Sequence, residues 1–487
     1  MPRRLKALND LASADHKMTH TIDGHGEDSP AAFEVINPST AAPFAQCPDA
    51  TPEQLDRGVA AACKASAGWS RLSFSDRRRQ LHKLAARVRD YADDLAKVIT
   101  REQGKPLSNA TREVASTANS LQNMANLRVK DQILRDDGNN RISLHYRPLG
   151  VVGAITPWNV PAALAAHKIA QALITGNTLV LKPSPYTPFA TLLLGEMSRD
   201  LLPPGVLNVL AGGNDLGQRL VEHPGIDKVS FTGSVATGKR VMASASGTLK
   251  RVTLELGGND PAILLEDADF DRMTPRIFAA AFANCGQICM AIKRVYVPEA
   301  RYEQVCEQLA GLAKDYRVGD GFEPEVQMGP LQNKMQYDKV LDVLEDTRRQ
   351  PGVRILAGGH TPNLPGYFLA PTIVADIADD ARLVTEEQFG PILPVLKYTD
   401  VDDAIARANS TRMGLCASVW TKDIDRGAEI AARLEAGTVW VNYHLLSEAD
   451  IPFGGFKESG LGREHGVMGL QSYMEPQVIN VPIATAA

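Results

Sequence analysis

The sequence lacks what a nucleic-acid-binding, membrane or secreted protein would carry. Its 52 Lys and Arg stand against 57 Asp and Glu, so no basic field is available for a phosphate backbone. No apolar run reaches the ~18 residues of a membrane span, and no apolar stretch follows Met1-Pro2-Arg3-Arg4, as a secretory signal requires. The six cysteines are scattered, which is typical of reduced thiols. We therefore expect a cytoplasmic protein without a nucleic-acid or membrane partner.

Motifs of other enzyme classes are also missing. There is no G-x-S-x-G of a serine hydrolase and no G-x-G-x-x-G of an ordinary Rossmann dehydrogenase. The turn from Gly233 to Lys239 mimics a P-loop, but Arg240 stands where Ser or Thr would hold magnesium, which disfavours an NTPase. Such a turn before a helix still offers backbone N–H groups to a pyrophosphate. No His cluster lies near Cys285 and Cys289, so no metal site is predicted.

Short apolar runs alternate with capped helices from about residue 146 onward. Residues 151–155, 178–181, 206–210 and 228–232 predict strands that are buried on both faces. The alternation is typical of a parallel sheet with helices on both sides. Ligands of such sheets bind beyond the carboxyl ends of the strands. A second α/β region is predicted over about 258–453.

Upstream of these strands the sequence predicts helices and an N-terminal arm. Thr51 followed by Pro52 is typical of a helix start. An apolar stripe from Leu81 to Val98 predicts one helix that ends at Gly104. The first thirty residues show no sustained period, and we predict a loose arm.

Side chains of complementary chemistry follow the predicted strands. Cys289 is either a nucleophile or a small buried thiol. Glu255 stands between strand leucines, where burial would raise its pKa towards the range of a general base. Asn159 could donate its amide to an oxyanion, and Lys182 could reach a ribose or phosphate. Together they suit a reaction in which a thiolate attacks a carbonyl, hydride leaves to a nicotinamide, and water hydrolyses the thioester.

With these residues in view, the sequence resembles the NAD(P)-dependent aldehyde dehydrogenase superfamily over residues 36–473. Seven blocks occur in the family's order: TPWN at 156, KPS at 182, FTGS at 231, LELGG at 254, GQIC at 286, EEQFGP at 386 and PFGGFKESGLGRE at 452. The resemblance implies an α/β fold with a Rossmann-type parallel-sheet cofactor domain, an α/β catalytic domain and a small β oligomerisation arm. The implied boundaries are 1–126, 146–257 and 456–470 for the cofactor domain, 258–455 for the catalytic domain, and 127–145 with 471–487 for the arm.

The resemblance also implies catalytic roles. Cys289 matches the nucleophile, and Glu255 matches the base that activates the deacylating water. Asn159 and the backbone N–H of Cys289 match the oxyanion hole. Lys168 and Glu464 match a pair that relays the proton away from the base.

NAD is the implied cofactor. Lys182 and Glu387 match the residues that hold its two riboses, with Phe389 beside the nicotinamide and Ser234 on the pyrophosphate side. Pro185 stands where many NAD-preferring relatives place a Glu, so NADP is not excluded. The full set of implied cofactor contacts is Ile155, Thr156, Pro157, Trp158, Lys182, Ser184, Gly212, Gly217, Phe231, Thr232, Gly233, Ser234, Gly238, Leu256, Gly257, Glu387 and Phe389.

The implied partners are a small-molecule aldehyde and further copies of the chain, as a homodimer or homotetramer. The loop 443–450 contains no Arg or Lys, which argues against a substrate with a distal carboxylate. Medium aliphatic or aromatic aldehydes fit better, while Glu448 and Asp450 leave amino-aldehydes open. The implied tunnel lining is Val160, Leu164, His167, Ile288, Met290 and His444.

Two other functions of the same scaffold stay open. A CoA-acylating semialdehyde dehydrogenase uses the same thiol but often lacks a carboxylate at the position of Glu255. A binding or lens-type structural protein would have lost the catalytic set, whereas Cys289, Glu255 and Asn159 are all present. The spacing of Cys285 and Cys289 also suggests the hypothesis of a reversible disulfide that protects the nucleophile.

Overall fold

The computed structural model describes residues 18–483. Residues 1–17, which include Met1-Pro2-Arg3-Arg4 and much of the predicted arm, lie outside the described part, as do the last four residues of the predicted segment 471–487. The strands are β1 (His20–Ile22), β2 (His25–Glu27), β3 (Ala31–Asn37), β4 (Ala42–Asp49), β5 (Gln132–Asp136), β6 (Asn140–Pro148), β7 (Val151–Ile155), β8 (Thr178–Lys182), β9 (Leu207–Val209), β10 (Lys228–Thr232), β11 (Arg251–Glu255), β12 (Asp260–Leu264), β13 (Ile292–Pro298), β14 (Arg354–Ala357), β15 (Thr372–Ala375), β16 (Ile392–Tyr398), β17 (Met413–Gly414), β18 (Cys416–Trp420), β19 (Thr438–Val441), β20 (Phe456–Lys457), β21 (Gly460–Leu461) and β22 (Met474–Pro482). The helices are α1 (Pro52–Arg71), α2 (Phe74–Asp90), α3 (Ala92–Gln103), α4 (Leu107–Met124), α5 (Pro161–Ile174), α6 (Phe189–Ser198), α7 (Asn214–Glu222), α8 (Val235–Ala245), α9 (Phe270–Phe282), α10 (Tyr302–Asp315), α11 (Lys334–Arg348), α12 (Arg382–Thr385), α13 (Val401–Asn409), α14 (Ile424–Ala431) and α15 (Gly466–Gln471).

The predicted parallel sheet is present and is the largest of the five sheets in the described residues. Its eight strands lie in the order β2-β1-β9-β8-β7-β10-β11-β21. The five strands from β9 to β11 pair in parallel. Strands β7, β8 and β10 are buried on both faces along almost their whole length, which explains the apolar runs of β7 and β8.

A second sheet and a small arm complete the fold. Seven strands lie in the order β14-β15-β16-β13-β12-β18-β19, and residues of this sheet share one apolar core. Strands β5 and β6 pair antiparallel, and the C-terminal β22 extends the pair through the register Gln477↔His145. Strand β6 runs to Pro148, three residues past the predicted end of the arm. The division into domains at the stated boundaries stays a prediction.

Two sequence-based expectations about local structure are wrong. The apolar stripe from Leu81 to Val98 does not form one helix, because Tyr91 (φ −112°, ψ 22°) separates α2 from α3. Both helices bury their stripe in the same core, so the apolar period continues across the break. Residues 20–27 are not a loose arm, because β1 is buried and extends the main sheet through Thr21↔Val209. A three-residue strand is too short to show a period.

All six cysteines are free thiols. Within residues 18–483, no helix is both long enough and apolar enough to cross a membrane.

His20 in β1 predicts a loss of stability in acid. Its Nδ1 accepts the backbone N–H of Ala211, and burial lowers its pKa to about 4. Below the unfolded value of ~6.5 the unfolded chain takes up a proton that the folded chain refuses, so stability falls from about pH 6.5 to 4. In His20→Asn we expect a smaller drop in melting temperature between pH 7 and pH 5 than in the native chain. An equal drop in both would contradict this role.

Candidate active site

The register of the main sheet brings residues of four separate motifs to one edge. Ile155 at the end of β7 pairs with Lys182 on β8 and with Phe231 on β10, while Thr232 pairs with Glu255 on β11. All five residues lie at carboxyl ends, where parallel sheets bind ligands. The buried hydroxyls of Thr156 and Thr232 have no hydrogen-bond partner in the described part of the chain. This edge therefore offers unsatisfied polar atoms to a ligand.

Lys182 is a buried cation with spare donors. Its Nζ donates to the backbone oxygen of Pro183 at 2.9 Å, and burial lowers its pKa to about 8. An ammonium has three N–H donors, so two remain available. Gly217 lies against the Lys182 stem, where an added Cβ would come to ordinary contact at 3.6 Å. Ser184 is buried two residues further on. The arrangement fits the hydroxyls of a ribose.

The amino end of α8 fits a phosphate group. Ser234 caps the helix by accepting the backbone N–H of Thr237, and the N–H groups of the first turn lie beside it. An added Cβ on Gly233 would lie 2.6 Å from the Phe231 ring, and one on Gly238 would lie 2.5 Å from Leu256. The two glycines thus let the turn and helix pack directly on the sheet.

Glu387 and Phe389 approach the same edge from the second sheet. Glu387 is half-buried, and its Oε1 accepts the backbone N–H of Gly258 at 3.0 Å. Gly257 allows this approach, since an added Cβ would lie 2.2 Å from the carboxylate. The Phe389 ring meets Trp158 edge-on at 5.4 Å between centroids. Lys182, Glu387 and Phe389 lie at one edge of the sheet, and the amino end of α8 is open to a phosphate. Together they fit a dinucleotide. Gly212 and Pro157 lie in the loops that follow β9 and β7.

Cys289 is half-buried in the loop between α9 and β13. The loop turns through two left-handed residues, Asn284 (φ 51°) and Cys285 (φ 60°). This backbone conformation is strained in residues other than glycine, and such strain is concentrated at functional sites. Burial raises the pKa of the Cys289 thiol to about 12, the Lys293 ammonium opposes the rise, and Glu255 is among the carboxylates that add to it. The resting group is a thiol, so its attack on a carbonyl requires a base.

Glu255 supplies a carboxylate with both oxygens free. The side chain is fully buried, and neither oxygen has a hydrogen-bond partner among residues 18–483. Burial raises its pKa well above the ordinary value, and the neighbouring Glu464 adds to the rise. An added Cβ on Gly454 would lie 2.9 Å from Oε1, so the bare glycine keeps that face of the carboxylate open. Such a group is suited to accept and release protons.

A second carboxylate lies behind the first. Glu464 forms a buried ion pair with Lys168 of α5 and also accepts the Ser230 hydroxyl at 3.3 Å. Burial raises the pKa of Glu464, but Lys168, His465 and Lys228 together outweigh this effect and the net pKa is lowered. Two nearby carboxylates thus have pKa values shifted in opposite directions, which is the arrangement expected of an acid–base pair.

Asn159 lies at the start of α5 and is buried. One N–H of its amide donates to the backbone oxygen of Gln287 at 2.9 Å, which ties it to the Cys289 loop. Within residues 18–483, the second N–H has no acceptor and is available to a ligand. The amide therefore faces the loop that carries the thiol.

The predicted substrate residues separate into two groups. Val160, Leu164, His167, Ile288 and Met290 are all partly exposed, as residues that line a cavity must be. His444 is different: its side chain has no exposed surface, and its ring nitrogens contact Ser418 Oγ and the Met290 oxygen, each at 2.9 Å. It supports the loop instead of lining a cavity, and we leave it out of the substrate site.

The sequence matches the family model of the Aldehyde dehydrogenase family over residues 25–479. The chain belongs to the aldehyde dehydrogenase family. It is an oxidoreductase of the NAD(P)-dependent aldehyde dehydrogenases, and the resemblance of the seven sequence blocks is confirmed.

Individual relatives support the same conclusion. Human Aldehyde dehydrogenase 1A1 is 37% identical over 486 residues, which are 98% of this chain and 97% of that protein. The NAD+ complex of an aldehyde dehydrogenase from Bacillus cereus is 36% identical, with a TM-score of 0.94 over 96% of this chain and 97% of that one. An NADP-dependent enzyme from E. coli is 34% identical, with a TM-score of 0.93 over 96% and 98%.

Sequence reasoning missed three residues of this aldehyde dehydrogenase site. Lys293 is buried in β13, and its Nζ donates to the backbone oxygens of Ile288 and Cys289, at 2.7 and 3.0 Å. Lys105 donates to the backbone oxygen of Asn159. Gly454 gives Glu255 its space. The sequence offered a signal only for Lys293, which is a charged residue inside an apolar strand run. The contacts of Lys105 with Asn159 and of Gly454 with Glu255 join distant parts of the chain.

One cluster near the site has ligand types that bind metals. His167, Glu464 and His465 bring a ligand atom each to within 4.8 Å of one another. His167 Nδ1 and His465 Nε2 already share a hydrogen bond of 3.1 Å, and Lys168 occupies Glu464. An ammonium at this position opposes a dication, so our proposal contains no metal.

Proposed function

We propose that the protein oxidises an aldehyde to the carboxylic acid with NAD(P)+ and water through covalent intermediates on Cys289. The observation that carries the proposal is Glu255, a buried carboxylate with two unpartnered oxygens whose charge acts on the Cys289 thiol. A thiol with a raised pKa needs a base for attack, and a thioester needs activated water for release. One carboxylate in this position serves both steps.

In the first step the Cys289 sulfur bonds to the aldehyde carbon while the thiol proton passes to Glu255. The carbonyl oxygen becomes negative, and the Asn159 amide with the backbone N–H of Cys289 stabilises it. The product is a thiohemiacetal on Cys289. Expulsion of hydride from its carbon is the step for which a bound nicotinamide dinucleotide supplies the acceptor.

In the second step Glu255, after it has released the thiol proton, takes a proton from water, and the hydroxide adds to the thioester carbon. The C–S bond breaks, the acid leaves, and the sulfur regains a proton. We propose that Lys168 and Glu464 carry the surplus proton away, because their ion pair lies next to Glu255 and shifts its pKa. The alternative, transfer of the acyl group to CoA, needs no activated water and would leave Glu255 only its role in the first step.

We assign the dinucleotide to the sheet edge and the open end of α8, with NAD as the preferred form. Pro185 is half-buried just beyond Lys182 and carries no charge to repel a 2′-phosphate. In Pro185→Glu we expect the ratio of kcat/KM with NADP+ to that with NAD+ to fall about tenfold, a change of about 1.4 kcal/mol. Pro185→Gln adds length without charge and serves as the matched control. Equal ratios in the Glu and Gln variants would contradict a charge effect.

We assign the aldehyde to the region bordered by the partly exposed residues Val160, Leu164, His167, Ile288 and Met290. These side chains are mostly apolar, which favours medium aliphatic or aromatic aldehydes. A panel of aldehydes assayed separately with NAD+ and NADP+, read by absorbance of the reduced nicotinamide, tests substrate and cofactor together. Turnover of carboxylate-bearing semialdehydes alone would overturn the assignment.

We propose that the active form is a homodimer or homotetramer joined through the arm. Every residue of β5 is exposed, and Ile133 and Leu134 are 61% and 53% exposed. An exposed apolar edge strand is a surface that pairs with another chain. The scattered free thiols support a reducing, cytoplasmic compartment.

A further inference from the structure

Two charged residues outside the seven sequence blocks lie behind Asn159. Lys105 follows Gly104, the left-handed residue (φ 93°) that ends α3, and Glu113 lies in α4. Their side chains are 4% and 3% exposed and form an ion pair. Removing two charges from water is unfavourable unless each is well satisfied by hydrogen bonds. The further partners of this pair therefore show what it holds in place.

Those partners all lie at the start of α5. Lys105 Nζ donates to the backbone oxygen of Asn159 at 2.9 Å. Glu113 Oε1 accepts the backbone N–H of Ala162, in the first turn of the helix, at 2.9 Å. The pair thus binds the chain on both sides of the helix start. Asn284 Nδ2 adds a second donor to the Asn159 oxygen at 3.0 Å.

The position of the Asn159 backbone decides where its amide points. The amide spans two bonds from the backbone and is tied at its end to Gln287, two residues before Cys289. A donor to a developing oxyanion is effective only within a narrow range of distance, and a 1 Å error costs about 10²-fold in rate. We infer that Lys105 and Glu113 are positioning residues, which hold the Asn159 backbone so that its amide meets the oxyanion formed on the Cys289 adduct.

This inference rests on the proposed function, and a reaction without the dinucleotide separates the two. An activated aryl ester acylates Cys289: the C–S bond forms, the C–O bond breaks, and the aryloxide leaves with the thiol proton accepted by Glu255. The tetrahedral oxyanion is the same in kind, but no hydride moves. The experiment measures this acylation burst in the full-length protein for four variants: Asn159→Ala, the neutral pair Lys105→Met with Glu113→Gln, the triple variant, and Thr117→Val.

The pair variant removes both charges at once and so leaves no lone buried ion. Thr117→Val removes a buried hydrogen bond to the Glu113 backbone in the same helix and controls for packing. Melting temperature and dinucleotide binding by fluorescence report whether each variant is folded. Lys105→Met alone is the second variant if the pair variant does not fold.

We expect the pair variant to acylate about 10²-fold more slowly with an unchanged KM for the ester, and Asn159→Ala to lose about 10²- to 10³-fold. The triple variant should match Asn159→Ala, because a positioning effect disappears with the group that it positions. Thr117→Val should acylate at the native rate. If the rate losses of the pair variant and of Asn159→Ala multiplied in the triple variant, or if the pair variant acylated at the native rate, the inference would be overturned and the proposed function would stand. A native rate in Asn159→Ala would overturn both the inference and the oxyanion role in the proposed function.

Discussion

Cys289→Ala is expected to lose aldehyde oxidation by a factor on the order of 10⁴ or more, because no other group in the site can form the covalent adduct. The same variant should lose hydrolysis of aryl esters, which requires the thiol but no dinucleotide. Steady-state production of reduced nicotinamide and release of aryloxide measure the two activities. Dinucleotide binding should be retained, since the sheet edge and α8 do not include Cys289.

Cys285→Ala is the matched control for this variant. Cys285 is 2% exposed and lies in the same apolar core as Phe278 and Phe282, four residues before the proposed nucleophile. We expect it to keep turnover. A result in which Cys289→Ala oxidises aldehyde at the native rate, or in which only Cys285→Ala is inactive, would remove the nucleophile assignment. The disulfide between the two thiols stays a hypothesis, since both are free in the structure.

Glu255→Gln is expected to produce one equivalent of reduced nicotinamide and then to stall. The amide has nearly the shape of the carboxylate but cannot take a proton from water, so deacylation should slow by about 10²- to 10⁴-fold. A stopped-flow trace should show a burst followed by a slow steady state. Since the thiol pKa is raised to about 12, the burst itself should also be slower than in the native enzyme.

Added CoA gives this variant a second readout. If the acyl group were destined for a thiol acceptor, CoA would restore full turnover in Glu255→Gln. Native turnover of this variant without CoA would instead show that Glu255 is not a base. The first result would contradict water as the acyl acceptor, and the second would contradict Glu255 as the base. Glu458→Gln, an exposed carboxylate in the C-terminal motif that pairs with Lys239, is the control for loss of charge.

The central strands of the main sheet, and the functional residues at their carboxyl ends, could be predicted from local sequence. The runs 151–155 and 178–181 are almost wholly apolar because both faces of β7 and β8 are buried, and that pattern is visible without the fold. The residue after such a strand lies at a ligand-binding edge by the topology of parallel sheets alone. Thus Lys182 and Glu255 were recognisable from sequence, and the register shows them beside Ile155 and Thr232.

Contacts between distant segments could not be read in the same way. Strand β21 pairs with β11 through Glu255↔Gly460, which brings Gly454 and Glu464 to a carboxylate about two hundred residues earlier. The break at Tyr91 leaves no trace in the apolar period, and the burial of His444 depends on Ser418 and Met290. Lys105 would pass for a surface charge in any local window. These features depend on tertiary packing, which overrides local propensity.

The central claim is that the acyl group is carried by Cys289 and released by Glu255, and the most direct measurement is the mass of the stalled enzyme. Glu255→Gln is mixed with aldehyde and the oxidised dinucleotide, quenched in acid during the steady state, and digested for peptide mapping. The account predicts one acyl group per chain, on the peptide position of Cys289, and none when the dinucleotide is left out. An acyl group on Cys285 or on another residue, or no adduct during a completed burst, would contradict it.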